Sequence, residues 1–323
     1  MIQNYYYDAT KQSLTYKLMD WKNGERVAVV LGGSDFEDVF IIPESIDGYP
    51  VKAIQKKAFL GERNLRRVVI PPTIEEIGEW AFHGCKNIKE IYMPRLSVKF
   101  GKGVFGIEAS LEGIYIYSAM EYDKLCTELC KKEADELYLK QKDENIQTAR
   151  LLSLVTDELL AEYLLDFKEA GSVEWLKKWD GRLLFLLDQP DEEGYQWMIL
   201  CGEEDLSANL EDYLFARQCY KARLCFWRLL YPVGIAGEFR IRLENYLREH
   251  TKGEESEAAF HVLINDFASN SKAFDLFYEL DCITDSNYQS IILAMGEKLP
   301  EQKASIIAKW NNKMTDFFGN LAW

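Results

Sequence analysis

Apolar positions in the first third of the chain recur every 23 residues. Leu65, Val68 and Ile70 are followed by Pro71, and 23 residues on Ile88, Ile91 and Met93 are followed by Pro94. Ile77-Gly78 and Ala81-Phe82 fall in the same way on Phe100-Gly101 and Val104-Phe105. One step back, Ile54 and Ala58-Phe59 take these places; one step forward, Leu111, Ile114 and Ile116 do. Phe40, Ile42, Pro43 and Ile46 open an earlier unit with five extra residues around Asp47–Pro50. The alternation in L-x-x-V-x-I predicts a short strand with every second side chain inward. The proline after it has no N–H and ends the pairing. Ile-Gly then turns the chain, and Ala-Phe plugs the core from the opposite wall. One such unit cannot bury its own apolar face, so the units must stack.

Ile-Pro, Ile-Gly-x-x-Ala-Phe and Gly84-Cys85, in this order and spacing, resemble the leucine-rich repeats of the BspA type. The segment IPESIDGYPVKAI resembles the first repeat of that family. The resemblance covers about residues 1–117, with about three full units. It implies a curved solenoid with a sheet on one face, and protein or glycan binding rather than catalysis. It also implies an opening β-hairpin, for which Leu14–Leu31 around Asn23-Gly24 serves. Many members are secreted or surface adhesins. Ser97 stands where the neighbouring units have Ile46 and Ile74, which predicts an irregular turn there.

From Ser118 onward the period becomes helical. Thr156 is suited to cap a helix carrying Leu159, Leu160, Tyr163, Leu164 and Phe167 on one stripe, with Gly171 placed to stop it. Other helical stretches run over 122–140, 209–217, 221–230, 239–250, 255–267, 272–280, 285–297 and 301–314, the last with Pro300 at its first position. Val155-Thr156-Asp157 resembles Ile283-Thr284-Asp285, and each is followed by a second stretch ending in a tryptophan, Trp179 or Trp310. This reads as stacked helical hairpins resembling a degenerate ankyrin-like or other α-solenoid array, without the Thr-Pro-Leu-His signature. An irregular helical bundle obeys the same packing rules. The expected fold is therefore α+β in two domains: a repeat β-solenoid over 1–117 and an all-helical domain over 118–323.

Charge separates the same two parts. Residues 1–116 carry 15 basic and 15 acidic residues, whereas residues 117–323 carry 23 and 38, so the whole net charge of −15 lies in the helices. Such an acidic balance argues against general affinity for nucleic acid, which needs a surplus of Lys and Arg against the phosphates. The acidic surface reads as a solvated face, or as one for a basic partner. The N-terminus carries no basic segment followed by an apolar run, and no stretch approaches about 18 uncharged apolar residues. A cytoplasmic location without a membrane partner is expected. The odd number of cysteines, seven, in apolar contexts reads as buried thiols in a reducing compartment.

Catalytic patterns are thin. Gly101-Lys102-Gly103-Val104-Phe105-Gly106 satisfies G-x-G-x-x-G, but lies in the turn of a repeat rather than between a parallel strand and a helix. Cys126 and Cys130 share a helical face without two further ligands for zinc. His83, His250 and His261 show no ligand spacing, and acidic runs such as Glu203-Glu204-Asp205 read as solvated. No cofactor, metal or enzymatic activity is expected. The expected role is a protein-binding scaffold; an exported adhesin is the alternative. Candidate contact residues lie on the outer side of the repeat strands: Arg67 and Val69, Glu90 and Tyr92, and Tyr115. Val69, Tyr92 and Tyr115 form a column rich in tyrosine, a residue favoured at binding hot spots. Equally, the column suits packing against the helices that follow.

Overall fold

A computed structural model describes residues 2–6, 13–105, 111–130, 143–156, 161–195 and 209–319. The chain divides into two compact units, Met1–Arg182 and Leu183–Trp323.

The first unit opens with strands β1 (Ile2–Tyr6), β2 (Ser13–Asp20) and β3 (Arg26–Ser34). β2 and β3 form the expected hairpin, with Gly24 at positive φ in its turn. The repeats supply β4 (Val39–Ile41), β5 (Ser45–Ile46), β6 (Tyr49–Ile54), β7 (Arg67–Val69), β8 (Glu76–Ile77), β9 (Glu90–Pro94), β10 (Lys99–Phe100) and β11 (Gly113–Tyr117). They build two sheets. One has the order β4-β7-β9-β11 and is parallel throughout. The other runs β1-β2-β3-β6-β8-β10, with β1 and the hairpin as its first strands and β5 paired to β6.

Between the sheets lie the residues the 23-residue period turns inward. Leu65, Val68, Ile70, Ile88, Ile91 and Met93 are buried, and Phe59, Phe82 and Phe105 stack with centroids 5.1 and 5.9 Å apart. The turns stack as closely as the rings. A Cβ on Gly78 would lie 2.3 Å from Lys56 N, and one on Gly101 the same distance from Glu79 N, so only glycine fits. That is the structural use of Gly101; Gly106 of the same motif lies outside the described residues. Gly101 follows the two-residue strand β10 and opens a turn, not a helix.

Helices α1 (Tyr122–Cys130), α2 (Asp143–Thr156) and the start of α3 (Val173–Asp188) complete this unit. Two expectations need correcting. Thr156 ends a helix rather than capping one, and of its predicted successor the described part holds only a 3-10 turn, Glu162–Leu164. The cause is the run Leu151-Leu152-Ser153-Leu154-Val155, which is buried throughout as the body of α2. The second stretch ending at Trp179 is instead α3, which runs on to Asp188. Residues 131–140 of the expected helix from Tyr122, and Leu159 and Leu160 of the stripe, lie outside the described residues. Phe167 of that stripe packs edge-on against Phe100 at 5.4 Å. Glu162 accepts the Gly103 N–H at 2.6 Å, and Arg95 reaches the Ala170 carbonyl at 3.3 Å. Residues 162–170 thereby close the last repeat, as an open repeat array requires. Trp175 and Trp179 donate to Leu164 O and Leu151 O, at 2.9 and 3.1 Å.

The second unit is helical: α4 (Leu210–Leu230), α5 (Gly237–Glu249), α6 (Ala258–Asp266), α7 (Ser271–Glu279), α8 (Tyr288–Met295) and α9 (Pro300–Gly319). α4 is one helix where two short ones are expected. It touches α5, α6 and α7, with Phe226 against Phe267 and Phe277 at 5.2 and 6.2 Å. Its N-cap is Asn209, accepting from Glu211 N. At its other end the fully buried Arg228 donates to the Tyr231 and Val233 carbonyls, at 2.7 and 2.9 Å.

Candidate functional site

The outer side of the β4-β7-β9-β11 sheet carries every candidate residue read from the strand pattern. Register puts Arg67 opposite Glu90, and lines Val69, Tyr92 and Tyr115 across three strands. The column forms as the spacing predicts, but it is not a free surface. Val69 and Tyr92 are inaccessible to solvent and Tyr115 is 8% exposed. They pack with Tyr122, Leu125 and Leu129 of α1 and Ala149 of α2. Of the two readings of the column, packing on the following helices is the one observed.

Its polar groups are satisfied internally. The Tyr92 hydroxyl donates to Glu90 at 2.6 Å, Tyr122 to Ile42 O at 2.6 Å, and Tyr117 to Ile70 O. Arg67 donates to Asp38 at the edge of the face. Burial, with Glu90 beside it, drives the Tyr92 hydroxyl far above the ordinary phenol range, so it stays a neutral donor. Tyr92 and Tyr115 stack at 5.3 Å. These features are those of an internal interface.

The other sheet turns a different outer face to solvent. Pairing aligns Lys17, Val29, Ala53, Glu76 and Lys99 in one row across β2, β3, β6, β8 and β10. With about 4.8 Å between strands, the two lysines stand about 19 Å apart. Between them Val29 and Ala53, only 4% and 7% exposed, lie beneath an open trough of about 430 Å³, with Met19, Trp21 and Phe100 among its walls. Val27, Val29 and Ala53 form a small apolar cluster with Trp21 and Leu31 packed on it. Lys17, Lys56 and Lys99 line the trough against Glu76 as the one carboxylate. Hydrogen bonding from Lys22, with Lys99 nearby, holds that carboxyl below its ordinary range. The trough thus combines an apolar floor with a rim of lysines, of which Lys56 pairs with Glu79 at 2.5 Å and Lys99 stands 3.7 Å from Glu76, in a chain that is strongly negative overall.

Sequence reasoning missed this face. β2 and β3 appear in the pattern only as an opening hairpin, and nothing local says they add strands to the repeat sheet. The available signal is the alternation Thr15, Lys17, Met19 beside Val27, Val29, Leu31, which marks a second, partly apolar side.

Among the described residues no group of three or more His, Cys, Asp or Glu is arranged to hold a metal, and no helix is long and apolar enough to cross a membrane. Cys126 is half-buried and Cys130 exposed; Cys85, Cys219, Cys225 and Cys282 are buried. Cys201 and the acidic run at 203–205 lie outside the described residues.

The model of the BspA type leucine rich repeat region matches residues 38–147, in six copies. No curated protein matches the chain. Solved structures resemble part of it. A leucine-rich repeat protein from Bacteroides capillosus ATCC 29799 is 23% identical over 32% of this chain and 94% of that one, with a TM-score of 0.25. A leucine rich cell surface protein from Faecalibacterium prausnitzii A2-165 is 22% identical over 39% and 35%, with a TM-score of 0.27. One from Bacteroides ovatus ATCC 8483 is 25% identical over 35% and 37%, with a TM-score of 0.23. The chain therefore spans little more than a third of the last two. The repeats stacked in the first unit are therefore leucine-rich repeats of the BspA type.

Proposed function

We propose that this protein is a non-enzymatic interaction module that holds an extended segment of a partner protein in the trough of the β1-β2-β3-β6-β8-β10 sheet. The segment would carry a small aliphatic side chain for the Val29–Ala53 floor, flanked by carboxylates for Lys17 and Lys99. The observation that carries this reading is the row Lys17-Val29-Ala53-Glu76-Lys99, apolar at its centre and cationic at its ends. Charge complementarity of this kind sets partner choice and association rate more than affinity. In this reading Arg67, Val69, Glu90, Tyr92 and Tyr115 serve the internal interface with α1 and α2. A reducing, cytoplasmic setting suits the buried thiols. Burial pushes Cys85 and Cys219 up to about 11 and Cys282 up to about 12, which keeps them protonated and unreactive.

Selection from a random peptide display library on the immobilised chain tests the proposal. Enriched peptides should carry Asp or Glu on both sides of an aliphatic residue. Their affinity should fall roughly tenfold or more in Lys17→Glu/Lys99→Glu, since each reversal turns an attraction into a repulsion. Enrichment without acidic residues, or equal binding to the double variant, removes the trough as the site.

A further inference from the structure

The second unit contains a cavity of about 500 Å³ bordered by the end of α3 and by α4, α5 and the loop after α5. Its charged groups divide into those already satisfied and those that are not. Lys221, 3% exposed, gives its ammonium to Asp191 at 2.7 Å and to Gln189 O at 2.6 Å. Gln218 occupies the second oxygen of Asp191 at 3.0 Å. Arg242 is bound to Asp188. Both cations of the lining are therefore neutralised by carboxylates they touch.

The remaining wall is acidic. Glu249 and Glu255 are exposed side chains at the cavity rim, and their carboxylates have no ion-pair or hydrogen-bond partner among the described residues. Such a pair alone is only a solvated edge. Beside it, however, is His250, a side chain more than nine-tenths buried that lines the same cavity. Its Nδ1 meets the Ser256 hydroxyl at 3.1 Å, and its Nε2 has no protein partner among the described residues. The Tyr246 ring lies edge-on to the imidazole with centroids 4.1 Å apart, and it too lines the cavity.

Nucleophilic catalysis does not fit this set. Ser256 has its histidine, but both oxygens of Asp191 are held by Lys221 and Gln218, so no acid is left to orient the imidazole. An anionic ligand does not fit either, because both lysine and arginine are already spent. A cation fits all the vacant acceptors at once. We propose that this cavity binds the ammonium group of a primary amine. Glu249 and Glu255 balance its charge, His250 Nε2 accepts one N–H, and the Tyr246 ring lies against the alkylammonium. With Nδ1–H donating to Ser256, the neutral imidazole presents Nε2 as an acceptor. Burial lowers the His250 pKa below its ordinary value, against the opposing pull of Asp191, Glu255 and Glu249, so the ring is neutral near pH 7.

Calorimetric titration of the full chain with butylamine tests the shared chemistry. One site should bind, and the histidine proton signals of His250 should shift while those of His83 and His261 stay. Glu249→Gln/Glu255→Gln should weaken binding roughly tenfold or more at an unchanged thermal midpoint, since both side chains are exposed. Spermidine and Nα-acetyl-lysine amide then separate the two sources of such a group, a free amine or a protein lysine, by which of them binds more tightly. No heat and no His250 shift with any of the three up to about 10 mM, weaker than millimolar affinity, overturns the proposal. So does equal binding to the double variant.

Discussion

The two sheets of the first unit share the stacked repeats, one of them extended by β1 and the β2-β3 hairpin, yet one is sealed and the other open. The outer face of β4-β7-β9-β11 carries Val69, Tyr92 and Tyr115 and is buried under α1 and α2. The outer face of β1-β2-β3-β6-β8-β10 carries Lys17, Val29, Ala53, Glu76 and Lys99 and lines an open trough. The sealed face is held by aromatic packing and by hydroxyls donating to Glu90 and to backbone carbonyls. The open face is held by exposed ion pairs such as Lys22–Glu76 and Lys52–Glu75. In a stacked repeat, then, an aromatic column marks the face that needs covering. The open face sets the small side chains of Val29 and Ala53 among larger apolar walls and charged residues.

The sharpest test places the same charge on each face. Val69→Lys puts an ammonium in the sealed column, where Tyr92 and α1 leave it no water and no partner. An unpaired buried charge of this kind costs about 3–5 kcal/mol. Ala53→Lys places one beneath the trough, at a position 7% exposed from which the long side chain reaches the open trough, directly opposite Glu76 in register. It should change stability by less than about 1 kcal/mol. Urea unfolding of both variants measures the difference. Comparable losses in the two would mean that the faces are not distinct.

Much of this contrast lies beyond a local reading of the chain. The inward residues were legible because Leu65, Val68 and Ile70 repeat as Ile88, Ile91 and Met93, and alternation is a local property. The column was legible for the same reason. Its cover was not, because Tyr122 bonds to Ile42, 80 positions away, and Ala149 meets the column from a helix hidden in a continuous apolar run. Leu151-Leu152-Ser153-Leu154-Val155 has too few polar residues to show a helical period, so Thr156 looked like a start instead of an end. The trough escaped for a related reason. Its row crosses five strands from Lys17 to Lys99, and only tertiary pairing brings those residues into register.

A smaller effect isolates the seal itself. Tyr122→Phe keeps the ring of α1 against Tyr117 but removes the donor to Ile42 O. A buried carbonyl left without its partner costs about 1–3 kcal/mol. The loss should appear as faster amide exchange in α1 with little change in the β6 amides, because the helix loosens before the repeat stack does. Equal acceleration in both would mean that α1 and the strands open as one cooperative unit.

The smallest expected effect belongs to the open face, and its sign follows from its carboxylates. Hydrogen bonding from Lys52 and Trp21 holds Glu75 below its ordinary pKa, and Lys22 with Lys99 does the same for Glu76. Below the ordinary carboxyl pKa the unfolded chain takes up protons that the folded chain resists. Stability from these pairs is therefore present above that value and is lost as pH falls through the lowered folded ones. Both groups are partly exposed, so water screens the pairs and the whole contribution is a few tenths of a kcal/mol. Urea midpoints of the wild type and of Glu75→Gln/Glu76→Gln should differ slightly at pH 6 and converge near pH 3. At pH 6 they should also converge in about 1 M salt, where charges are screened within about 3 Å. The neutral Tyr122–Ile42 bond of the sealed face predicts the opposite for Tyr122→Phe, a loss indifferent to salt. A salt-sensitive Tyr122→Phe, or a salt-indifferent Glu75→Gln/Glu76→Gln, would reverse the assignment of polar forces to the two faces.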